Sequence, residues 1–196
     1  MVTPQFVNVG GGASMPISAL SPSGTDVDGV EIQTLTAAGY TDKYYTWNTW
    51  MYENPCWVDE NLEAVENVSF DPGAGLWVQG ASTEQSFQSA GKVGSNDVVV
   101  TLRFGATATG NPFPISLDIN EIVPEGDDVD GVEIQTLTAA GYTDKYYTWN
   151  TWMYENPCWV DENLQAVENV AFDPGAGLWV QGASTSQSLR FPAPEL

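Results

Sequence analysis

The sequence contains no histidine, and only five of its 196 residues are lysine or arginine. The absence of histidine removes the commonest general base and a usual zinc ligand. The few cations leave little to stabilise an oxyanion or a phosphate, and no Walker loop, dinucleotide fingerprint or nucleophile elbow occurs. These absences predict a protein that is not an enzyme.

Long apolar runs are also missing, since no stretch approaches the roughly 20 apolar residues of a membrane helix. The first residues, Met1-Val-Thr-Pro, have neither the basic nor the apolar region of a signal peptide. We therefore expect no membrane insertion. The location of the protein stays open. The chain remains where it is made, leaves by lysis or dedicated export, or had a leader that was removed. A virion or extracellular surface is favoured.

Acidic residues dominate the charge, with 26 Asp and Glu giving a net charge of -21. Repulsion on this scale favours solubility and opposes binding to phosphate backbones, so nucleic acid is excluded as a partner. A solvated acidic surface is one interpretation. Attraction of cations or of a basic partner is the other.

A long internal repeat is the strongest pattern in the chain. The segment from Asp26 to Ser86 recurs at 128–188 with three differences: Glu63, Ser69 and Glu84 become Gln165, Ala171 and Ser186. Weaker echoes extend it, pairing Met15-Pro-Ile-Ser with Phe113-Pro-Ile-Ser, Pro22-Ser-Gly with Pro124-Glu-Gly, and Thr101-Leu-Arg-Phe104 with Ser188-Leu-Arg-Phe191. The sequence thus predicts two domains, 1–92 and 93–196.

Each copy has β patterning. Val30–Thr36 alternates apolar and polar residues, and Tyr44–Trp50 is rich in aromatic and β-branched residues. Further strands are expected at Trp57–Val58, Leu76–Gln79 and Ser86–Ser89, with 61–68 as a loop or one turn. The apolar run Val98–Phe104 is expected to take the place of Phe6–Val9.

Short strands separated by Gly, Pro and Asp are typical of small barrels and sandwiches. The predicted fold class is therefore all-β: two tandem, near-identical small β-barrel or β-sandwich domains related by internal duplication. We expect five or six strands in each. A parallel sheet with crossover helices is excluded, because no segment predicts a helix of adequate length.

Two motifs carry a resemblance to a known class of protein. Gly110-Asn-Pro-Phe is followed later by Phe172-Asp-Pro-Gly-Ala-Gly-Leu-Trp-Val, and the first copy has Phe70-Asp-Pro-Gly-Ala-Gly-Leu-Trp-Val. This pattern resembles tandem β-rich repeat modules of bacterial surface proteins with an N-P-F…P-G-x-G-(aromatic)-W-V pattern. Leu76 and Leu178 stand where the aromatic residue is expected. The resemblance implies a display or assembly module with no catalytic residues to transfer.

Acidic residues suggest two further sites. The segments Asp26-Val-Asp28-Gly-Val-Glu31 and Asp128-Val-Asp130-Gly-Val-Glu133 have the alternating oxygens that calcium favours. They lack the remaining ligands of a twelve-residue calcium loop, so an acidic turn is the alternative to a weak calcium site. Paired carboxylates at Asp59 and Glu60, repeated at 161–162, are the one enzymatic route left open.

Aromatic residues supply the candidate binding surface. Such a surface would use Trp47, Trp50 and Trp57 and their equivalents Trp149, Trp152 and Trp159. They predict either a sugar-stacking platform or a hydrophobic core or interface. Cys56 and Cys158 occupy equivalent positions, so they pair only if two copies or two subunits bring them together, and otherwise remain free.

Two functions remain after these exclusions. The first is a non-enzymatic structural or assembly protein: a virion decoration or fibre, or a surface or filament subunit. It would self-associate as a homo-oligomer, head to tail if the contact between copies continues between molecules. The strand-like end at Arg190-Phe191 offers edge pairing for this, or else completes its own domain. The second is a carbohydrate- or protein-binding module with two equivalent aromatic sites.

Overall fold

The computed structural model describes residues 5–8, 14–35, 41–80, 85–89, 95–102, 105–138, 143–182, 184 and 186–194. Strands form nearly all of the regular structure in these ranges. The helical segments among them are two single 3₁₀ turns, at Ile17–Ala19 and Ile119–Glu121. The all-β prediction is confirmed.

Among the residues that the structure describes, nine strands lie in the first half of the chain. They are β1 (Gln5–Asn8), β2 (Met15–Pro16), β3 (Leu20–Gly24), β4 (Glu31–Leu35), β5 (Thr41–Asn48), β6 (Cys56–Val58), β7 (Ser69–Phe70), β8 (Gly75–Gln79) and β9 (Gln85–Ser89). Ten lie in the second half. They are β10 (Val98–Thr101), β11 (Gly105–Gly110), β12 (Leu117–Asp118), β13 (Val123–Gly126), β14 (Glu133–Leu137), β15 (Thr143–Asn150), β16 (Cys158–Val160), β17 (Ala171–Phe172), β18 (Gly177–Gly182) and β19 (Gln187–Phe191).

The two halves build sheets with the same strand order. The first five-stranded sheet runs β1-β8-β4-β5-β6 and the second runs β11-β18-β14-β15-β16. Their registers also agree: Gln33 lies opposite Trp77 in one sheet, and Gln135 lies opposite Trp179 in the other. Residues 102 positions apart therefore occupy the same place in each sheet.

The core lies on one face of each five-stranded sheet, as strand alternation requires. In the first half Ile32, Leu76 and Val78 point into it, while their neighbours Gln33 and Trp77 lie on the opposite face. Smaller sheets cover this core: β2 pairs with β7 and β3 with β9 in the first half. The buried residues of the smaller and larger sheets belong to one hydrophobic cluster in each half.

The described residues do not form a closed barrel, which was one of the two predicted folds. Each five-stranded sheet is open, since β1 and β6 end the first and β11 and β16 end the second. The strand count per copy also exceeds the expected five or six. The extra strands are mostly two to four residues long, too short to give a period-two pattern in the sequence.

Strand β10 has a role that the sequence did not predict. It forms a three-stranded sheet with β19 and β13, in the order β10-β19-β13. The strand equivalent to β1 is β11, which pairs with β18 as β1 pairs with β8. The assignment of 98–104 to the place of Phe6–Val9 is therefore wrong. The apolar run was chosen for its hydrophobicity, whereas β11 is made mainly of Gly, Ala and Thr.

One of the weaker sequence matches outside the main repeat needs a similar correction. Met15 pairs with Phe70 and Leu117 pairs with Phe172, so Leu117 is the equivalent of Met15. The Phe113-Pro-Ile-Ser match is wrong by four residues. Phe113 instead enters the core of the second half, where its backbone N–H donates to the side chain of Asn111 at 3.0 Å.

The C-terminal strand completes its own half. On its two sides β19 pairs with β10, Val98 opposite Phe191, and with β13, Val123 opposite Arg190. Arg190 also forms ion pairs with Asp97 at 3.2 Å and with Glu125 at 2.7 Å. Both edges of β19 are therefore occupied within the chain, and edge pairing between subunits through this strand is not available.

The two halves meet where β1 lies beside β18 and β8 lies beside β11. The Asp71-Pro-Gly-Ala turn of the first half packs against Val98 and Val100 of β10. The hydroxyl of Thr109 donates a buried hydrogen bond of 2.7 Å to the carbonyl oxygen of Gly73. This turn therefore fixes β10 and β11 to the first half.

Candidate functional site

Each half exposes one tryptophan on the loop that follows β5 in the first half and β15 in the second. We name these segments, 49–55 and 151–157, the tryptophan loops. Trp50 and Trp152 are each 72% exposed, and the Met and Tyr that follow each of them are also exposed. A large indole is seldom left this open to water, because its burial is a major source of stabilisation.

Hydrogen bonds hold the first tryptophan loop in one conformation. The carboxylate of Asp28 accepts from the backbone N–H of Thr49 at 2.8 Å and from its hydroxyl at 2.9 Å. The buried side chain of Asn48 accepts from the backbone N–H of Met51 at 2.8 Å and of Trp50 at 3.3 Å. The same contacts recur in the second half through Asp130 and Asn150. Trp50 is thus exposed on an ordered backbone.

A tyrosine ties each loop to the next turn of the chain. The Tyr52 hydroxyl donates to the carbonyl oxygen of Leu62 at 2.9 Å and accepts from the N–H of Ala64 at 3.2 Å. Leu62 is exposed as well, and its φ of 63° places it in the left-handed region. In the second half Tyr154 makes the same contacts. Each tyrosine therefore joins a tryptophan loop to the turn that carries an exposed leucine, Leu62 in the first half and Leu164 in the second.

The other predicted binding tryptophans are not on this surface. Trp57 and Trp159 are 1% and 0% exposed, and their indole N–H groups donate to the carbonyl oxygens of Leu20 at 2.8 Å and Ile122 at 2.9 Å. Trp47 and Trp149 pack edge-on against them, with ring centroids 5.1 and 5.2 Å apart. A six-tryptophan platform is therefore not formed. Only Trp50 and Trp152 project fully, because their positions lie beyond the end of the strand.

Four of the six predicted calcium ligands make hydrogen bonds with other side chains or with the backbone. Asp28 and Asp130 bind the loop threonines, while Glu31 and Glu133 accept from the side-chain amides of Gln33 and Gln135. The remaining pair, Asp26 and Asp128, have φ of 57° and 56°, which aspartate tolerates better than most residues. Within the described ranges no three Asp, Glu or Cys side chains form a group suited to a metal. A weak calcium site stays a prediction.

In each pair of adjacent carboxylates, the aspartate accepts hydrogen bonds from backbone N–H groups of the turn that follows it. Asp59 accepts hydrogen bonds from the backbone N–H groups of Asn61 at 2.9 Å and Glu63 at 3.0 Å. These bonds, that of Glu63 above all, lower the pKa of Asp59, and the equivalent bond from Gln165 lowers the pKa of Asp161. A general acid needs the opposite shift.

The two cysteines are free and half-buried. Burial raises the pKa of both thiols, and the charge of Glu66 raises that of Cys56 further. A raised pKa reduces the thiolate fraction at neutral pH, so neither residue has the character of an activated nucleophile.

Among the residues that shape the loops, the sequence singled out Asp28 and Asp130, but as calcium ligands, and it did not predict Asn48, Tyr52 and their equivalents. The sequence contains part of the information needed to predict these roles. Asn and Asp commonly accept backbone N–H bonds at turns, and each stands beside the aromatic segment or before its partner strand.

In the part of the chain that the structure describes, no helix has the length and apolar character needed to span a bilayer. Comparisons with protein-family models, curated proteins and solved structures found no match, so the resemblance to bacterial surface repeats stays a prediction.

Proposed function

We propose that this chain is a non-enzymatic structural or assembly protein of a virion or cell surface, built from two duplicated β domains. Its two tryptophan loops are the contact surfaces through which it self-associates. The observation that carries the proposal is the pair of ordered loops that each leave an indole 72% exposed.

The energetics of association support this use of Trp50 and Trp152. Tryptophan is enriched among the residues that dominate binding energies at interfaces, where it fills a pocket and excludes water. Ordering a loop on binding normally costs free energy. Here Asp28, Asn48 and Tyr52 already fix the loop, so little of that cost remains.

The charge sets the conditions for assembly. A net charge of -21 makes copies of the chain repel one another at long range. Screening by salt weakens that repulsion but leaves the burial of indoles largely intact. Assembly through the tryptophan loops should therefore strengthen as salt is added.

Two identical loops in one chain favour extended or multivalent contact. A molecule with one such surface pairs and stops, whereas one with two can bridge two neighbours or hold a repetitive partner with avidity. The same observation supports the second candidate function, a carbohydrate- or protein-binding module with two equivalent aromatic sites.

Light scattering over a range of protein and salt concentrations tests the proposal. We expect the unaltered chain to form species larger than a monomer, and the double variant Trp50→Ala, Trp152→Ala to remain monomeric. Val99→Thr is the matched control, because it removes an exposed apolar group of β10 outside the loops.

Two outcomes would count against self-assembly through the tryptophan loops. A chain that stays monomeric at every concentration and salt level refutes it. Assembly that survives the double variant shows that other surfaces carry it. A clean monomer that binds a glycan or a protein with two sites per chain, lost in the double variant, supports the binding module instead.

A further inference from the structure

A cleft between the two five-stranded sheets is lined by equivalent residues from each half. From the first half these are Gln33, Leu35, Thr41 and Trp77, and from the second the residues 102 positions later. The cavity has a volume of about 330 Å³. This lies at the lower end of the range of small-molecule sites, about 300 to 1,000 Å³.

The lining comes from the faces of the sheets that point away from the cores. Gln33 lies opposite Trp77 across β4 and β8, and Leu35 lies opposite Thr41 across β4 and β5. Since the second sheet has the same registers, the two outer faces present matching side chains to one space. This arrangement has an approximate twofold character.

The chemistry of the lining is both apolar and hydrogen-bonding, and it is uncharged. The indoles and leucines offer apolar faces, and the amides and hydroxyls offer donors and acceptors. Among the described residues that line the cleft, none carries a formal charge. An anionic ligand would gain no cationic partner from this lining and would meet the repulsion of the acidic chain.

The polar groups are held in place before any ligand binds. The Thr41 hydroxyl donates to the side-chain oxygen of Gln33 at 2.6 Å, and the amide nitrogen of Gln33 donates to Glu31. The Thr143 hydroxyl donates to Gln135 at 2.8 Å, with Glu133 in the role of Glu31. Each amide keeps a second N–H, and each threonine oxygen keeps acceptor capacity, for a ligand.

We propose that this cleft binds one neutral oligosaccharide per chain. Sugars combine apolar C–H faces, which stack on indoles, with hydroxyl groups that both donate and accept. A chain of sugar units can also contact both halves at once, because each unit carries the same kinds of group and each half offers the same side chains. The proposal concerns a surface separate from the tryptophan loops and does not depend on them.

Isothermal titration of the full chain with neutral oligosaccharides, cellohexaose, maltohexaose and chitohexaose, tests this inference. We expect at least one to bind at one molecule per chain, with no comparable binding of the anionic oligogalacturonate. Trp77→Phe and Trp179→Phe should each weaken binding by about tenfold, from loss of indole stacking.

Thr41→Val and Thr143→Val provide a second test at exposed positions where folding is less sensitive, and they should also weaken binding. Val99→Thr, which lies outside both the cleft and the tryptophan loops, is the control and should leave affinity unchanged, while thermal melting verifies that each variant is folded. Absence of binding by all three neutral sugars overturns the proposal. So does binding at two molecules per chain that is lost in Trp50→Ala, Trp152→Ala, an outcome that assigns sugar recognition to the loops.

Discussion

Replacing Gly73 with alanine tests how the two halves are joined. Gly73 is buried in the Asp71-Pro-Gly-Ala turn with a φ of +81°. A Cβ atom placed there would lie 2.5 Å from Cγ2 of Val100 and 3.3 Å from Cγ1 of Val98. The substitution therefore combines a backbone penalty with a collision against β10.

The two contributions can be separated with a matched variant. Gly175 occupies the same turn in the second half with a φ of +75°, but it is half-exposed. Gly175→Ala should cost about 1 kcal/mol, mainly for the left-handed backbone. Gly73→Ala should cost about 1 to 3 kcal/mol more, because the valines must shift to admit a methyl group.

Urea unfolding followed by tryptophan fluorescence measures both free energies of unfolding. We expect the midpoint of Gly73→Ala to fall clearly below that of Gly175→Ala. Gly73→Ala with Val100→Ala should recover part of the loss, since the shorter side chain leaves room for the new methyl group. Equal losses in the two single variants would refute the assigned contact between the turn and β10.

Three further predictions concern the acidic residues. Asp28→Ala should speed amide hydrogen exchange at Thr49 by removing its acceptor, while exchange at Thr151, still bound to Asp130, stays unchanged; equal acceleration at both would contradict the local role. Because the pKa of Asp59 and Asp161 is lowered in the fold, their contribution is present above about pH 4 and is lost as pH falls through the lowered pKa. Stability measured by urea from pH 5 to pH 2 should therefore fall less steeply in Asp59→Asn, Asp161→Asn, and identical slopes would show that these bonds do not matter. A weak calcium site predicts a higher melting temperature in calcium than in chelator. The rise should exceed the one that magnesium gives by screening alone. Equal melting curves in calcium and magnesium would exclude the site.

The sequence predicted the central strands well, because they have strong local signals. Alternation in Val30–Thr36 corresponds to β4, and the aromatic run Tyr44–Trp50 corresponds to most of β5. The Pro-Gly turn before Leu76 gives β8 its start. These features depend on neighbours in sequence, so a pattern of a few residues contains them.

Whether each tryptophan is buried or exposed could not be predicted from local patterns in the same way. Trp47 and Trp50 lie within one aromatic segment, yet the first packs on Trp57 and the second is in water. What separates them is the end of β5 at Asn48, whose side chain turns the backbone. That end depends on hydrogen bonds that Thr49 donates to Asp28, a residue twenty-one positions earlier in the sequence.

The place of β10 was missed for a related reason. Hydrophobicity shows that Val98–Thr101 is a strand but not which strand it pairs with. Its partner β19 lies far away in sequence, and only the three-dimensional register brings Val98 opposite Phe191. The cleft lined by Trp77 and Trp179 depends on the placement of whole sheets, which local patterns do not determine.

The position of β19 has a consequence for biosynthesis. All the strands described in the first half have been made once Ser89 is added, but the second half lacks the central strand of a sheet until Phe191 is made. At ribosomal speeds this interval is about 5 to 20 s. During it, the first half is covalently attached to an incomplete second half of similar sequence, in which strands β10 and β13 lack the strand that joins them. The nascent chain is therefore most exposed to mispairing with its own first copy, or with a neighbour on the same message, just before Phe191 is made.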